Sequence, residues 1–239
     1  MHRRPLLLAA SLLCVRAAHG QLPGLPVFQG AFAGPGLAAG VNVGRGDART
    51  LIAGAVGYGS RSGRVGLAAG LGGFGANASG YRSSRLSYGG RFAITAIRFA
   101  HERLAVTPFV GFGSTRATLT SARVAGLTAA TPQDTGQVIR SDEIPLGAAV
   151  GWRLRLGGSR ALALSLAPAL TLYRRTGGSG ALDASNWVVR STAVADLALS
   201  PRIGFTLGTE FGQVAEAADP GPRGVRVGLG ASFALARHR

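Results

Sequence analysis

Histidines, carboxylates and arginines are the groups with chemistry to offer in this 239-residue chain. Histidine is the commonest acid–base catalyst, and the chain has four: His2 and His19 near the start, His101 between two extended segments and His238 at the last position but one. None stands where other reactive groups gather. The adjacent acids Asp142 and Glu143 point to opposite faces of a strand, which suits solvation of a rim better than a paired-carboxylate site. Gly70, Gly72 and Gly75 spell G-x-G-x-x-G, but no helix follows, and a dinucleotide site needs strand, turn and helix. Asn77-Ala78-Ser79 matches a glycosylation acceptor and reads as a loop. The single cysteine, Cys14, lies in the apolar leader, so the remaining chain has no thiol chemistry, disulfide or cysteine-based zinc site to use. The expectation is a non-enzyme without catalytic residue, cofactor or metal.

The arginines carry more. All 26 basic residues are arginine, and against 10 acidic residues they give a formal net charge of +16. Charged residues are nevertheless only 15% of the chain, too sparse for the dense basic stripe of a nucleic-acid-binding domain. The 38 glycines follow no Gly-X-Y period, and 46% of residues are apolar, which excludes both collagen and a disordered polar tail. The chain has to bury, or embed, a large apolar surface.

The first residues predict the compartment. His2, Arg3 and Arg4 precede the apolar stretch Leu6 to Val15 and a small-x-small site at Ala18-His19-Gly20, the layout of a secretory signal peptide cleaved after Gly20. The apolar stretch is too short for a transmembrane helix, which needs roughly 20 residues. Residues 1–20 are therefore expected as signal peptide, 21–36 as an N-terminal tether, which its Gly and Pro content suits better than the alternative of dipping into the folded domain, and 37–239 as that domain.

Beyond the leader the pattern has a period of two. Leu162, Leu164, Leu166, Pro168, Leu170 and Leu172 alternate with Ala161, Ala163, Ser165, Ala167, Ala169 and Thr171, the signature of a strand with one bulky and one small face. Leu86, Tyr88, Phe92 and Ile94 repeat it, as do Ile144, Leu146, Val150, Trp152 and Leu154, and again Val225, Val227, Leu229, Phe233 and Leu235. The template predicts about ten strands, near 37–44, 50–59, 64–76, 85–98, 104–118, 142–155, 160–173, 187–200, 202–213 and 224–236. Short and long links alternate between them, as in an up-and-down meander whose two termini lie at the tight-turn end.

A soluble barrel would turn the bulky face inward and cover its outside with charge. Here the other face is mostly Gly, Ala, Ser and Thr. In a transmembrane β-barrel the bulky face meets lipid and the small or polar face lines the lumen. Aromatic residues favour both membrane interfaces, and two groups emerge: Tyr88, Tyr173, Trp187 and Phe211 at the loop ends of strands, Tyr58, Phe99, Trp152 and Phe233 toward the turn ends. The predicted fold is an all-β, up-and-down antiparallel transmembrane β-barrel of about 10 strands, with 8 as the alternative.

In this pattern the chain resembles the small Gram-negative outer-membrane β-barrel proteins, the OmpA-type and OmpW-type barrel group, over about Leu37 to Ala236. The resemblance implies a closing strand whose alternating series ends in an aromatic residue read by the barrel-assembly machinery, matched by Val225, Val227, Leu229 and Phe233. The chain departs by continuing six residues beyond Phe233, to Arg239.

Function then rests on where the arginines fall. Arg91, Arg153, Arg190, Arg202 and Arg226 are expected on the lumen face with Asp196 and Glu210, an excess of positive charge that fits a narrow, anion-favouring passive pore or, if paired and packed, a structural barrel. Arg45, Arg49, Arg82, Arg116, Arg123, Arg140, Arg174, Arg175 and Arg223 lie near the long-loop ends, where guanidinium groups clamp phosphates of outer-membrane lipid such as lipopolysaccharide or simply solvate the rim. The two rival readings are an outer-membrane enzyme and a soluble secreted barrel that binds an apolar ligand. Burial of Leu164, Leu166 and Leu170 inside the molecule would favour the second rival.

Overall fold

The computed structural model describes residues 25, 27, 31–32, 34–46, 49–73, 83–99, 103–119, 137–176, 184–213 and 225–236. The expected signal peptide, Gly75, Asn77-Ala78-Ser79, Arg82, His101, Arg123, Arg223 and His238 lie outside the described residues, as does the side chain of Arg49.

Alternation of bulky and small residues produces strands throughout: β1 (Gly36–Gly46), β2 (Arg49–Gly59), β3 (Val65–Gly73), β4 (Ser83–Ile94), β5 (Ile97–Phe99), β6 (Leu104–Leu119), β7 (Gln137–Gly157), β8 (Arg160–Thr176), β9 (Ala184–Ala198), β10 (Ile203–Gly212) and β11 (Arg226–Ala236). Successive strands pair antiparallel, β4 also pairs with β6, and β1 pairs with β11. The sheet is thereby closed. β5 continues β4 after an interruption at Thr95 and Ala96, so the barrel has ten staves, as predicted. Closure satisfies every strand edge without a partner molecule.

The links at one end are tight, and that between β7 and β8 shows why. Gly157 and Gly158 have φ of 99° and 57°, left-handed backbone that other residues adopt only with strain. Gly158 is the first loop position of a two-residue hairpin, where the favoured turns need positive φ, and Gly157 flanks it at a register shift. The first strand begins and the last strand finishes at this same end, since Leu37 pairs with Ala236 and Gly36 with Gly59.

The burial pattern is reversed relative to a soluble barrel. Leu164, Leu166 and Leu170 are 47%, 49% and 44% exposed on the outside, while Ala163, Ser165 and Ala167 between them are buried. Leu86, Tyr88, Phe92 and Ile94 of β4 likewise face out, and Ser87, Arg91 and Thr95 face in. Outward aromatics stand at both ends: Tyr88, Trp187 and Phe211 toward the loops, Tyr58, Phe99, Trp152 and Phe233 toward the turns. Tyr173 departs from the expected belt. Its place in the alternation, next to outward Leu172, turns it into the barrel, where it is 1% exposed.

The interior is not empty. Leu25, Val27, Ala31 and Phe32 are all buried, so the described part of the expected tether lies inside the barrel. Leu25 and Val27 rest on Ala53 and Ala55 of β2 and Ala68 of β3, whereas Ala31 and Phe32 rest on Ala105, Ala149, Ala163 and Ala167 of β6, β7 and β8. These walls face each other across the bore. The small wall residues leave a void, and close packing requires that something fill it. Gly and Pro content said nothing of that demand, which is why the segment read as a tether.

Candidate functional site

The candidate functional surface is the lumen, and two layers occupy it. At the turn side, wall hydroxyls anchor the N-terminal segment through its backbone: Ala31 N donates to Ser165 Oγ at 3.0 Å, and Thr107 Oγ1 donates to Ala31 O at 2.6 Å. These bonds satisfy peptide groups that burial would otherwise penalise. Arg153 lays its guanidinium over the Phe32 ring, 4.1 Å from the centroid, a cation–π contact between wall and filler. Where the segment leaves the bore, a side chain on Gly59 would collide with the carbonyl of Gly34.

Gly151 marks the closest wall contact that can be tested. A methyl group there would lie 2.6 Å from Ala31 Cβ and 2.9 Å from the Phe32 ring, so Gly151→Ala is expected to push the segment off the wall at a cost of about 1–3 kcal/mol. Limited proteolysis of the folded variant should cleave near Phe32 faster than in the parent while the barrel stays intact. Unchanged cleavage would mean that the segment adapts in place.

Toward the loop end, charge replaces hydrocarbon. Arg190 of β9 donates from Nε to Glu210 Oε1 of β10 at 2.7 Å. The other Glu210 oxygen lies 3.3 Å from Arg226 Nη1 of β11, and Arg226 Nη2 lies 3.6 Å from Glu143 Oε1 of β7. β7 and β11 are four staves apart, so this chain of ion pairs crosses the lumen as a chord. Arg190 adds a bond from Nη1 to the Gln213 carbonyl at 2.8 Å. Buried charges persist only when paired and hydrogen-bonded in this way. Nearby, Arg91 stacks on Phe109 at 3.8 Å from the ring centroid. Arg91, Phe109, Glu143, Tyr173, Arg190 and Glu210 border a cavity of about 30 Å³, space for roughly two waters. Lower in the barrel, Asp196 accepts from Thr206 Oγ1 at 2.7 Å.

The predicted lumen set is therefore mostly brought together: Arg91, Arg153, Arg190, Asp196, Glu210 and Arg226 all face in. Arg202 does not. It sits exposed in the turn between β9 and β10, because β10 starts at Ile203. Besides Tyr173, two charged lumen residues depart from the expected placement. Glu143 is 3% exposed inside the barrel rather than solvating the rim, while its neighbour Asp142 does face out. Arg175, paired in register with inward Ser141, also turns in, with its Nε buried. Strict alternation along each strand was the signal for both; the expectation instead followed their nearness to strand ends. Of the expected rim arginines, Arg45, Arg116, Arg140 and Arg174 are exposed on the outer face. Among the described residues no three His, Cys, Asp or Glu side chains group as metal ligands.

No protein-family model matches the chain, and none of the curated proteins does. Solved structures similar to it are outer-membrane barrels. A KdgM porin aligns over 83% of this chain and 99% of its own at 8% identity and a TM-score of 0.34. The copper transporter OprC aligns over 91% of this chain and 46% of its own at 14% identity and a TM-score of 0.31. The Ralstonia pickettii toluene transporter TbuX aligns over 85% and 75% at 12% identity, also with a TM-score of 0.31.

Proposed function

We propose that this chain is an integral barrel of a bacterial outer membrane, exported by a cleaved signal peptide, and that it forms a narrow, anion-favouring passage held shut at rest by its own N-terminal segment. The observation that carries the reading is the reversal of the two faces: bulky hydrocarbon points outward around the whole barrel, and guanidinium groups point inward. An outer face of that kind is unsuited to water, and a closed β-barrel meets the requirement that backbone groups in lipid be bonded internally. Arg91, Arg153, Arg175, Arg190 and Arg226 set against Glu143, Asp196 and Glu210 leave positive charge in excess among the described lumen residues, which supports anion preference. The outward Val225, Val227, Leu229 and Phe233 on β11 support reading by the barrel-assembly machinery and kinship with the OmpA-type and OmpW-type group.

A second reading, a purely structural barrel, is favoured by the ion-pair chord, which braces opposite walls and obstructs flow. Planar-bilayer recording separates the two. The chain from Gln21 onward is expected to be nearly silent, and a variant lacking residues 25–34 is expected to conduct in steps with a reversal potential displaced toward that of chloride. Silence of both proteins in membranes that contain folded barrel supports the structural reading, and conduction without ionic preference removes the anion assignment.

A further inference from the structure

On the outer face of the loop end, neighbouring strands place three arginines side by side. Arg116 of β6 pairs in register with Arg140 of β7, and Arg174 of β8 pairs with Asp142 of β7. All three arginines are exposed. Like charges directly opposite each other destabilise a sheet, and among the described residues one carboxylate offsets them: Arg140 Nε donates to Asp142 Oδ1 at 3.0 Å. Two positive charges remain over in that patch. Directly beneath it, toward the middle of the barrel, the same outer face carries Tyr88, Phe112, Ile144, Leu172 and Trp187. The patch thus stands at the margin where an apolar band ends and an aromatic belt begins.

We infer that Arg116, Arg140 and Arg174 form a binding site for the phosphate of an outer-leaflet lipid, with the acyl chains of that lipid lying on the apolar band below. The inference rests on the membrane reading above. Guanidinium forks match phosphate oxygens two at a time. Arg140 faces Arg116 directly and Arg174 diagonally, a spacing long side chains bridge, so the three forks converge on one tetrahedral anion. Asp142 fixes Arg140 in place and keeps one of its nitrogens from the ligand, leaving the others to bind. Charge complementarity selects phosphate, and continuity with the apolar band selects a lipid over the free ion. Arg45 has no such company, standing in register with Thr50 and Val227, and Arg175 is inside the barrel. The described rim arginines are therefore not equivalent, and the patch on β6 to β8 is the site.

The test refolds the mature chain into phosphatidylcholine vesicles doped with lipid A, extracts the barrel in mild detergent and measures retained lipid by mass spectrometry. Parent protein is expected to retain lipid A, with loss by roughly tenfold or more in R116Q/R140Q/R174Q, as removal of several charge-assisted bonds implies. A charge-matched control at the turn end, R61Q/R64Q/R160Q, should retain it as the parent does. Dephosphorylated lipid A should be lost from the parent. Equal retention by parent and triple variant, or displacement of lipid A by millimolar inorganic phosphate as complete as that by excess lipid A, overturns the site. Failure of the parent to float with the vesicles at all overturns the membrane reading itself and is recognised separately. Heat-modifiable gel mobility confirms that each variant is folded.

Discussion

Glu210→Ala is expected to cost the folded barrel about 3–5 kcal/mol, the range found when one member of a buried ion pair is removed and its partner is stranded. Arg190 is 2% exposed and loses its 2.7 Å partner, and Arg226 loses its 3.3 Å contact. Glu210→Gln retains an acceptor for Arg190 and should cost less than the alanine variant. Replacing Arg190 and Glu210 together by Met and Leu should recover most of the loss, since a well-packed apolar pair is often as stable as a buried ionic one. Equilibrium unfolding of the refolded barrel in urea measures all three. A cost below about 1 kcal/mol for Glu210→Ala, the level of a solvated surface pair, would show that water reaches this depth and screens the lattice.

The second large effect concerns the outside. Leu166 lies midway along β8 and points away from the barrel axis. In a bilayer an arginine at mid-depth on the lipid face of a barrel costs about 2–4 kcal/mol, falling to about 0–1 near the interfaces. Leu166→Arg should therefore destabilise the barrel in vesicles by about 2–4 kcal/mol, and Tyr58→Arg, in the belt near the turn end, much less. On a water-facing surface both substitutions would fall within about 0.5 kcal/mol of neutral. A flat response across the two depths contradicts a membrane-spanning outer face and revives the soluble barrel.

Much of the wall was legible because strand periodicity is local. The apolar alternation gives β8 its start at Arg160 and assigns Leu164 and Ala163 to opposite faces, as found. It gives β7 from 142, whereas the ladder runs from Gln137. Hydrophobic alternation records only where a face meets hydrocarbon, and backbone pairing continues past that margin through Arg140 and Ser141. The site was legible where the same rule was applied strictly. Arg190, Glu210 and Arg226 follow from parity. Glu143, Tyr173 and Arg175 were missed where nearness to a strand end outweighed it, and Arg202 was misplaced because a turn boundary moved. The partnership of Glu143 with Arg226 depends on curvature that brings β7 opposite β11, and no local pattern reports it. The filler is the least legible part. Its position answers a volume deficit created by alanines and glycines scattered over β2, β3, β6, β7 and β8, and its own Gly- and Pro-rich composition carries no period.

That filler also sets an order of events. Residues 25–35 emerge ahead of every strand, yet the hydrogen bond from Ala31 to Ser165 joins positions 134 apart in the chain. Contacts of such long range form slowly, because much loop entropy is lost before they repay it. Leu25 and Val27 find their wall once β2 and β3 exist, whereas Ala31 and Phe32 find theirs only when β8 has joined β6 and β7. The guest is therefore seated in two stages, and its second anchorage waits on a strand that comes late in the chain.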